Sequence, residues 1–566
     1  MLSRVGSKLG TGAALLIGGA VGHLLKKHHE SAQQKSESSD ELNNKKAVLT
    51  YQNEINRTLH KIHLGLKEFS PSCGTKHSIA AFYTKIAKLQ CQQYLAHQKE
   101  EVGGGLKVWL SEWEGEAEWV DTVDFWPPPP PRSASTPSLS AALRSSVKAL
   151  WYISCCEDFC KENYVFSHDV MKSLKVVIER GDAKAAPMAL KVVANVAVHQ
   201  EKHQLIHDTG LVDVLASSAD HHHPFVFLPA WRALHNLKAR RSNASKCTEV
   251  YMEGVYPFAL PDDAEPRPLL DIVLVHGIEG GVPWTWRQQD KDAHRPRLPH
   301  SLRRKLHTLT EDVLDQYITF CWPLDWLVPA LGLPVRVIAL DFRASWWRWG
   351  CSSPEESIGK SLAGHSQELM AGLEAAGVGR RPIVWITHSM GGLLVKHMLM
   401  KSQQRKDRKE EDVRKAALDE LELWQSSNGG LAEQTAAAVF FSVPHHGSQL
   451  ATTTTSWPLS HLLQPTREVQ EMRADNPLLK VIHESFLSLV KEKQVAVLSL
   501  LESQPTQHVV PGGWELHFVL PHQADPGVGE FHEVETTHRD ICKPLDRNSD
   551  TFQKLLLFLK THFHLM

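Results

Sequence analysis

The chain has 566 residues, more than one hydrophobic core usually organises, so the sequence predicts at least two domains. Its 62 basic and 64 acidic residues give a formal net charge of -2, which argues against a nucleic-acid partner. The nine cysteines are sparse, odd in number and without Cys-x-x-Cys spacing, a pattern that favours reduced thiols over a disulfide framework or a zinc site. Neither a metal ion nor another cofactor is expected.

The first pattern that predicts a structural element lies in residues 1–30. An uncharged, apolar run from Leu9 to Leu25 lies between Lys8 and the pair Lys26 and Lys27. The run is short for a bilayer-spanning helix, and its basic, amphipathic start is also typical of a mitochondrial presequence. The sequence therefore predicts a membrane anchor or a targeting segment, with a soluble helix as the remaining alternative.

Two further segments precede the first folded repeat. Residues 31–110 are polar at first and then show helical spacing, which predicts a helical N-terminal region. Residues 111–140 contain five consecutive prolines, Pro127 to Pro131, followed by several serines. This composition is typical of an extended linker, although a proline run of this kind also suits SH3-like partners.

Residues 141–245 show an internal repeat. The pairs Ala149-Leu150, Ala189-Leu190 and Ala230-Trp231 recur at offsets of about 40 residues. A period near 40 made of amphipathic helices resembles armadillo or HEAT repeats, with a small helical bundle as the alternative. We expect this region to pack against other parts of the protein or to bind protein partners.

Residues 255–566 alternate short apolar runs with helical patterns. This alternation predicts an α/β domain with a doubly wound, mostly parallel sheet. Six strands are predicted, at residues 271–276, 335–340, 383–386, 437–443, 495–501 and 516–520.

A serine follows the third of these strands. The strand leads into Thr387-His388-Ser389-Met390-Gly391, and a helical pattern begins at once. This is the nucleophile elbow of an α/β-hydrolase, in which a sharp strand-to-helix turn exposes the serine hydroxyl. Gly391 matches the second glycine of the motif, whereas Thr387 replaces the first. The alternative is that Ser389 only caps a helix.

The same fold predicts the groups that stabilise an oxyanion. One backbone N–H comes from the residue after the nucleophile and the other from a loop that follows an earlier strand. Here the donors would be Met390 and Ile278, with Gly277 at the start of the glycine-rich loop.

A general base and an acid should follow the serine in the chain. His538 is the predicted base because it lies in the last long loop, where His522 and His532 are competing candidates. Glu502 is the predicted acid because it ends a strand between Ser389 and His538, and Asp525 is the alternative.

Several motifs resemble those of the serine active site-containing family of lipase-like α/β-hydrolases. They are His276-Gly277, residues 285–290, Cys321-Trp322-Pro323, the elbow through Lys396, Pro444-His445-His446-Gly447-Ser448 and residues 541–544. The family elbow also lacks the first glycine. The resemblance implies a membrane-associated hydrolase or acyltransferase acting on phospholipid acyl esters, at contacts between mitochondria and endoplasmic reticulum.

The resemblance also implies a role in phosphatidylglycerol remodelling and intracellular cholesterol trafficking. The alternative hypothesis is a membrane-anchored, non-catalytic adaptor, in which the hydrolase fold is catalytically inactive and the helical repeats bind protein partners.

Overall fold

The computed structural model describes residues 139–157, 160, 165–181, 184–221, 223–239, 249–258, 267–289, 321–346, 360–415, 430–456, 465–474, 476–506 and 517–563. The predicted anchor or targeting segment, the helical region 31–110 and the linker 111–140 up to residue 138 lie outside these residues. Within the described part of the chain, no helix is both long and apolar enough to cross a membrane.

In the part of the chain that the structure describes, six α-helices precede the sheet. They are α1 (Leu139–Ser154), α2 (His168–Arg180), α3 (Ala185–Val196), α4 (His203–Asp208), α5 (Leu211–Ala219) and α6 (Pro224–Ala239). Helix α3 packs against both α1 and α6. The three residue pairs that carry the offset near 40 all lie in these packed helices and are buried. The offset therefore marks equivalent core positions, and the assignment to armadillo repeats stays a prediction.

A seven-stranded sheet forms the core of the C-terminal region. Its strands are β1 (Val255–Pro257), β2 (Leu270–Val275), β3 (Val335–Leu340), β4 (Ile383–His388), β5 (Thr435–Phe441), β6 (Ala496–Glu502) and β7 (Glu530–Val534). Their order is β1-β3-β2-β4-β5-β6-β7. Only β1 is antiparallel to its neighbour, and the other pairs are parallel. The carboxyl ends of β2 to β7 therefore meet at one edge of the sheet.

Helices surround this sheet. They are α7 (Val282–Thr285), α8 (Val328–Leu331), α9 (Leu362–Ala375), α10 (Met390–Lys415), α11 (Gln449–Ser456), α12 (Arg467–Glu471), α13 (Pro477–Lys493), α14 (Pro521–Ala524) and α15 (Asp550–His562), and a π-helical turn spans Pro323–Leu327. Strands β2 and β4 are buried along their whole length. Burial on both faces explains why the central strands are continuous apolar runs.

Five predicted strands coincide with β2 to β6, but the prediction of a strand at 516–520 is wrong. The described part of that run, from residue 517, forms no strand, and it leads into α14. The last strand is β7, whose sequence Glu-Phe-His-Glu-Val is largely exposed at the sheet edge. An edge strand rich in charged residues lacks the apolar run used for the prediction. Strand β1, three residues long and ending in a proline, was also not predicted.

Candidate active site

The strand-to-helix turn at Ser389 has the geometry of a nucleophile elbow. Strand β4 ends at His388, α10 begins at Met390, and Ser389 between them has a φ of 53°, in the left-handed region that side chains other than glycine rarely adopt. The Ser389 N–H donates to the carbonyl of Phe441 on β5 at 2.9 Å. This strained turn lies at the carboxyl edge of the sheet, as the motif requires.

Packing explains the residue types two positions before and two positions after Ser389. A Cβ atom on Gly391 would collide with the carbonyl oxygens of Val275 and His276, so only glycine fits there. Thr387 is fully buried, and its hydroxyl donates to the carbonyl of Val439 on β5 at 3.1 Å. The threonine is thus accommodated by a hydrogen bond to the neighbouring strand.

The structure brings Ser389, His538 and Glu502 together. His538 Nε2 lies 3.1 Å from Ser389 Oγ, and His538 Nδ1 lies 3.1 Å from Glu502 Oε1. Glu502 ends β6, and His538 follows β7 in the next loop. The exposed fractions of the three residues are 6% for Ser389, 4% for His538 and 2% for Glu502, so the hydrogen-bonded chain is largely shielded from water.

Contacts outside the Ser389–His538–Glu502 chain also hold His538 in place. Its ring stacks on Phe518 with centroids 4.6 Å apart and planes 9° apart. Its backbone N–H donates to Thr506 Oγ1 at 3.1 Å, and His388 Nε2 lies 2.8 Å from its carbonyl oxygen. Burial and the neighbouring His538 hold the pKa of His388 well below its usual value, so His388 is a neutral ring that donates Nε2–H to this carbonyl.

Glu502 is oriented by the segment that the sequence had suggested as a strand. The Val519 N–H donates to Glu502 Oε1 at 3.3 Å, and the Glu502 N–H donates to Ser442 Oγ at 3.2 Å. Glu502 Oε2 is buried and has no hydrogen-bond partner among the residues that the structure describes. One oxygen of the carboxylate is therefore fixed towards His538.

The competing candidates lie elsewhere. Asp525 Oδ1 accepts from the Gly527 N–H at 2.8 Å, and both Asp525 and His522 line a cavity of about 650 Å³ that also includes His483. His532 lies within β7 and is 3.3 Å from Glu530 Oε2. The hydrogen bonds of His538 thus reach Glu502 and not Asp525.

The glycine-rich loop after β2 passes directly beside the nucleophile. A Cβ atom built on Gly277 would lie 2.7 Å from Ser389 Cβ, so the main chain approaches the serine as closely as glycine allows. Ile278 follows, and the N–H of Glu279 donates to the Ala344 carbonyl at 2.9 Å. Met390 opens α10, where backbone N–H groups have no partner within the helix. The role of the Ile278 and Met390 N–H groups as oxyanion donors remains a prediction.

The composition of the stretch from Trp322 to Leu333, which is apolar and aromatic, suits an acyl pocket, a membrane-facing lid or core packing. Trp322, Trp326 and Leu331 are buried, and Trp322 Nε1 donates to the Cys542 carbonyl at 3.0 Å. Both tryptophans also contact the ring of Phe552 on α15. These contacts favour core packing for this stretch.

The sheet order, the elbow after β4 and the partners at the ends of β6 and β7 define the C-terminal region as an α/β-hydrolase fold. No family model matches the sequence.

Curated relatives make the assignment more specific. The chain is 33% identical over 377 residues to Protein SERAC1 of Bos taurus, covering 66% of this chain and 50% of that protein. It is 33% identical over 375 residues to Protein SERAC1 of Homo sapiens, with coverage of 66% and 50%, and 32% identical over 385 residues to that of Danio rerio, with coverage of 68% and 52%. The chain is a SERAC1-like protein, and it spans about half the length of the curated relatives it matches.

The solved structures that match the chain have lower sequence identities than the curated relatives. The mature lipase BlEst2 of Bacillus licheniformis is 14% identical with a TM-score of 0.32, covering 53% of this chain and 97% of that structure. Phospholipase PlaB of Legionella pneumophila is 16% identical with a TM-score of 0.23, covering 42% and 39%. Overlap at this level supports no conclusion about activity.

Proposed function

We propose that this protein is a lipase-like serine hydrolase or acyltransferase in which Ser389 attacks an acyl ester. The observation that carries the proposal is the hydrogen-bonded chain from Ser389 Oγ through His538 to Glu502, with both distances at 3.1 Å. This is the arrangement in which a histidine removes the proton of a serine while a carboxylate orients the imidazole. The elbow at Ser389 and the close approach of Gly277 support the same reaction.

Each step of the proposed reaction has a group to perform it. Ser389 Oγ attacks the ester carbonyl carbon while its proton passes to His538 Nε2, and Glu502 stabilises the resulting imidazolium. The N–H groups of Ile278 and Met390 hold the oxyanion. The tetrahedral intermediate then breaks its bond to the alcohol oxygen, which takes the proton from His538, and the acyl group stays on Ser389.

The second half of the reaction releases the acyl group. Water attacks the acyl-enzyme while His538 removes its proton, and Ser389 recovers a proton as the carbon–oxygen bond breaks. If the hydroxyl of a lysolipid replaces water, the product is a new ester and the protein acts as an acyltransferase.

The substrate and the cellular role rest on the family resemblance. We propose a phospholipid as the acyl donor, a membrane location at contacts between mitochondria and endoplasmic reticulum, and a part in phosphatidylglycerol remodelling and cholesterol trafficking. Lipid analysis of cells expressing the wild-type protein or Ser389→Ala tests the donor and the role together. Equal lipid profiles would contradict them.

Labelling by a fluorophosphonate tests the catalytic proposal directly. We expect the full-length wild-type protein to label and Ser389→Ala not to label. Ser366→Ala is the matched control, because Ser366 is a buried serine in helix α9 whose hydroxyl lies 3.4 Å from the Leu394 carbonyl. No labelling of folded, membrane-reconstituted protein would favour the non-catalytic adaptor.

A further inference from the structure

An ionic network of one buried and three half-buried side chains joins the helical region to the hydrolase domain. Lys191 on α3 and Arg232 on α6 face the carboxylates of Glu253, before β1, and Asp341, directly after β3. The Arg232 Nη2–Glu253 Oε2 distance is 2.8 Å, the Lys191 Nζ–Glu253 Oε1 distance is 3.7 Å and the Lys191 Nζ–Asp341 Oδ2 distance is 3.8 Å. Charged groups in such surroundings are costly unless each is paired, so the four side chains depend on one another.

The groups of this network carry their charges at neutral pH. Burial alone would lower the pKa of Lys191, but Tyr256, Glu253 and Asp341 outweigh it and raise that pKa above its usual value. Burial alone would raise the pKa of Asp341, but neighbouring groups, Lys191 and the Val282 N–H among them, hold it well below its usual range. Removing either charge therefore leaves the other without its compensation.

Asp341 also holds the loop that carries the predicted oxyanion donor. Its Oδ1 accepts from the Val282 N–H at 3.2 Å and lies 3.5 Å from His276 Nε2. Val282 and His276 flank the segment 277–281. The Asp341 carboxylate thus holds the Val282 end of this loop with one oxygen and faces Lys191 with the other.

His276 holds the other end of the loop, beside the nucleophile. The Phe342 N–H donates to His276 Nε2 at 3.2 Å, which assigns the ring proton to Nδ1, and Nδ1 donates to the Gly277 carbonyl at 2.8 Å. Gly277 is the residue whose main chain lies against Ser389. The loop 277–281 is therefore held at both ends, by Lys191 and Asp341 through Val282 and by His276 at Gly277, beside Ser389.

We propose that Lys191 and Asp341 are positioning residues that fix the loop 277–281, so that the helical region completes the active site of the hydrolase. This inference rests on the proposed function and deepens it. It assigns the helices a role in positioning the active-site loop, in addition to any binding of protein partners. Loss of a single oxyanion donor lowers kcat by about 10²–10³-fold, and displacing a donor lowers kcat by a smaller factor.

The test compares two substitutions at the same interface in the full-length protein. Lys191→Met removes the charge that faces Asp341, whereas Arg232→Met removes one that faces Glu253 and Asn195. With a soluble p-nitrophenyl ester, we expect Lys191→Met to lower kcat by about 10–100-fold, part of the loss of a whole donor, while KM stays within about threefold. Arg232→Met should lower the melting temperature at least as much and keep kcat within about threefold. Asn195→Ala serves as the control if Arg232→Met does not fold.

A double substitution and hydrogen exchange complete the test. Lys191→Met combined with Asp341→Asn should lose no more kcat than Asp341→Asn alone, because both act through one contact. Amide exchange at residues 277–282 should rise in Lys191→Met and not in Arg232→Met. Unchanged kcat and exchange in Lys191→Met, or equal kcat losses in the two single variants, would overturn the positioning role. A folded wild-type protein without turnover or labelling would instead overturn the proposed function, and the exchange result would still decide the positioning role.

Discussion

Replacing Glu502 by glutamine separates the two tasks of the acid in the proposed triad, which are orienting His538 and stabilising its positive charge. Glu502 Oε1 faces two donors, His538 Nδ1 at 3.1 Å and the Val519 N–H at 3.3 Å. A glutamine keeps its carbonyl oxygen at this position, because an NH₂ group there would face two N–H groups. The orientation of the imidazole is thereby retained, and mainly the charge is lost.

The size of the effect follows from the distance. Two opposite unit charges about 4 Å apart attract by about 4 kcal/mol at an effective dielectric constant of about 20. Losing that attraction when His538 becomes an imidazolium slows the reaction by about 10³-fold, since about 1.4 kcal/mol corresponds to a factor of ten. Glu502→Leu also removes the acceptor for Nδ1–H and should cost about 10⁴-fold.

The assay is kcat on a soluble p-nitrophenyl ester, with thermal unfolding measured in parallel. Glutamine places an NH₂ group where the buried Oε2 has no described partner, so a stability loss of about 1–3 kcal/mol accompanies the slower reaction. Asp525→Asn is the matched control, because its carboxylate binds the Gly527 N–H and should leave kcat unchanged. A folded Glu502→Gln protein with less than a tenfold loss, or an equal loss in Asp525→Asn, would refute this reasoning.

Three further outcomes are expected. His388→Leu removes the donor to the His538 carbonyl and should lower kcat about tenfold in the same assay, since an unpaired buried carbonyl costs about 1–3 kcal/mol; an unchanged kcat would speak against this role. Gly391→Ala should lower the free energy of unfolding by about 2–3 kcal/mol in urea titrations, whereas Gly364→Ala, which meets only an ordinary contact, should change it little. Burial lowers the pKa of His483 to about 3, so between about pH 6.5 and 3 the unfolded chain binds one more proton than the folded protein, and stability is lost as the pH falls. His483→Gln should reduce the slope of the unfolding free energy against pH in this range by up to about 1.4 kcal/mol per pH unit. An identical slope in the variant would contradict the assignment.

The central strands and the three side chains of the proposed triad were accessible from the sequence because each depends on a local pattern. Strands β2 and β4 are buried on both faces and read as apolar runs. Ser389 and Glu502 lie at the ends of such runs, and His538 lies in the loop before the closing helix. The order of these elements along the chain limited the possible partners of Ser389.

The surroundings of the triad were not accessible, because they depend on tertiary packing. Phe518 and Val519 form an apolar run that resembles a strand, yet one stacks on His538 and the other donates to Glu502. Lys191 and Asp341 are 150 residues apart, and no periodic signal links them. The presence of His388 within the elbow motif was visible, but its bond to the His538 carbonyl required the fold.

The hydroxyl of Thr387 has a consequence for recognising related proteins. A motif search that demands glycine two residues before the serine would pass over this chain, although its elbow is intact. The threonine hydroxyl finds an acceptor at the Val439 carbonyl, so a small side chain with a donor group satisfies this position as well. Valine has nearly the same shape but no donor, and it is therefore the residue that a broadened search pattern should exclude.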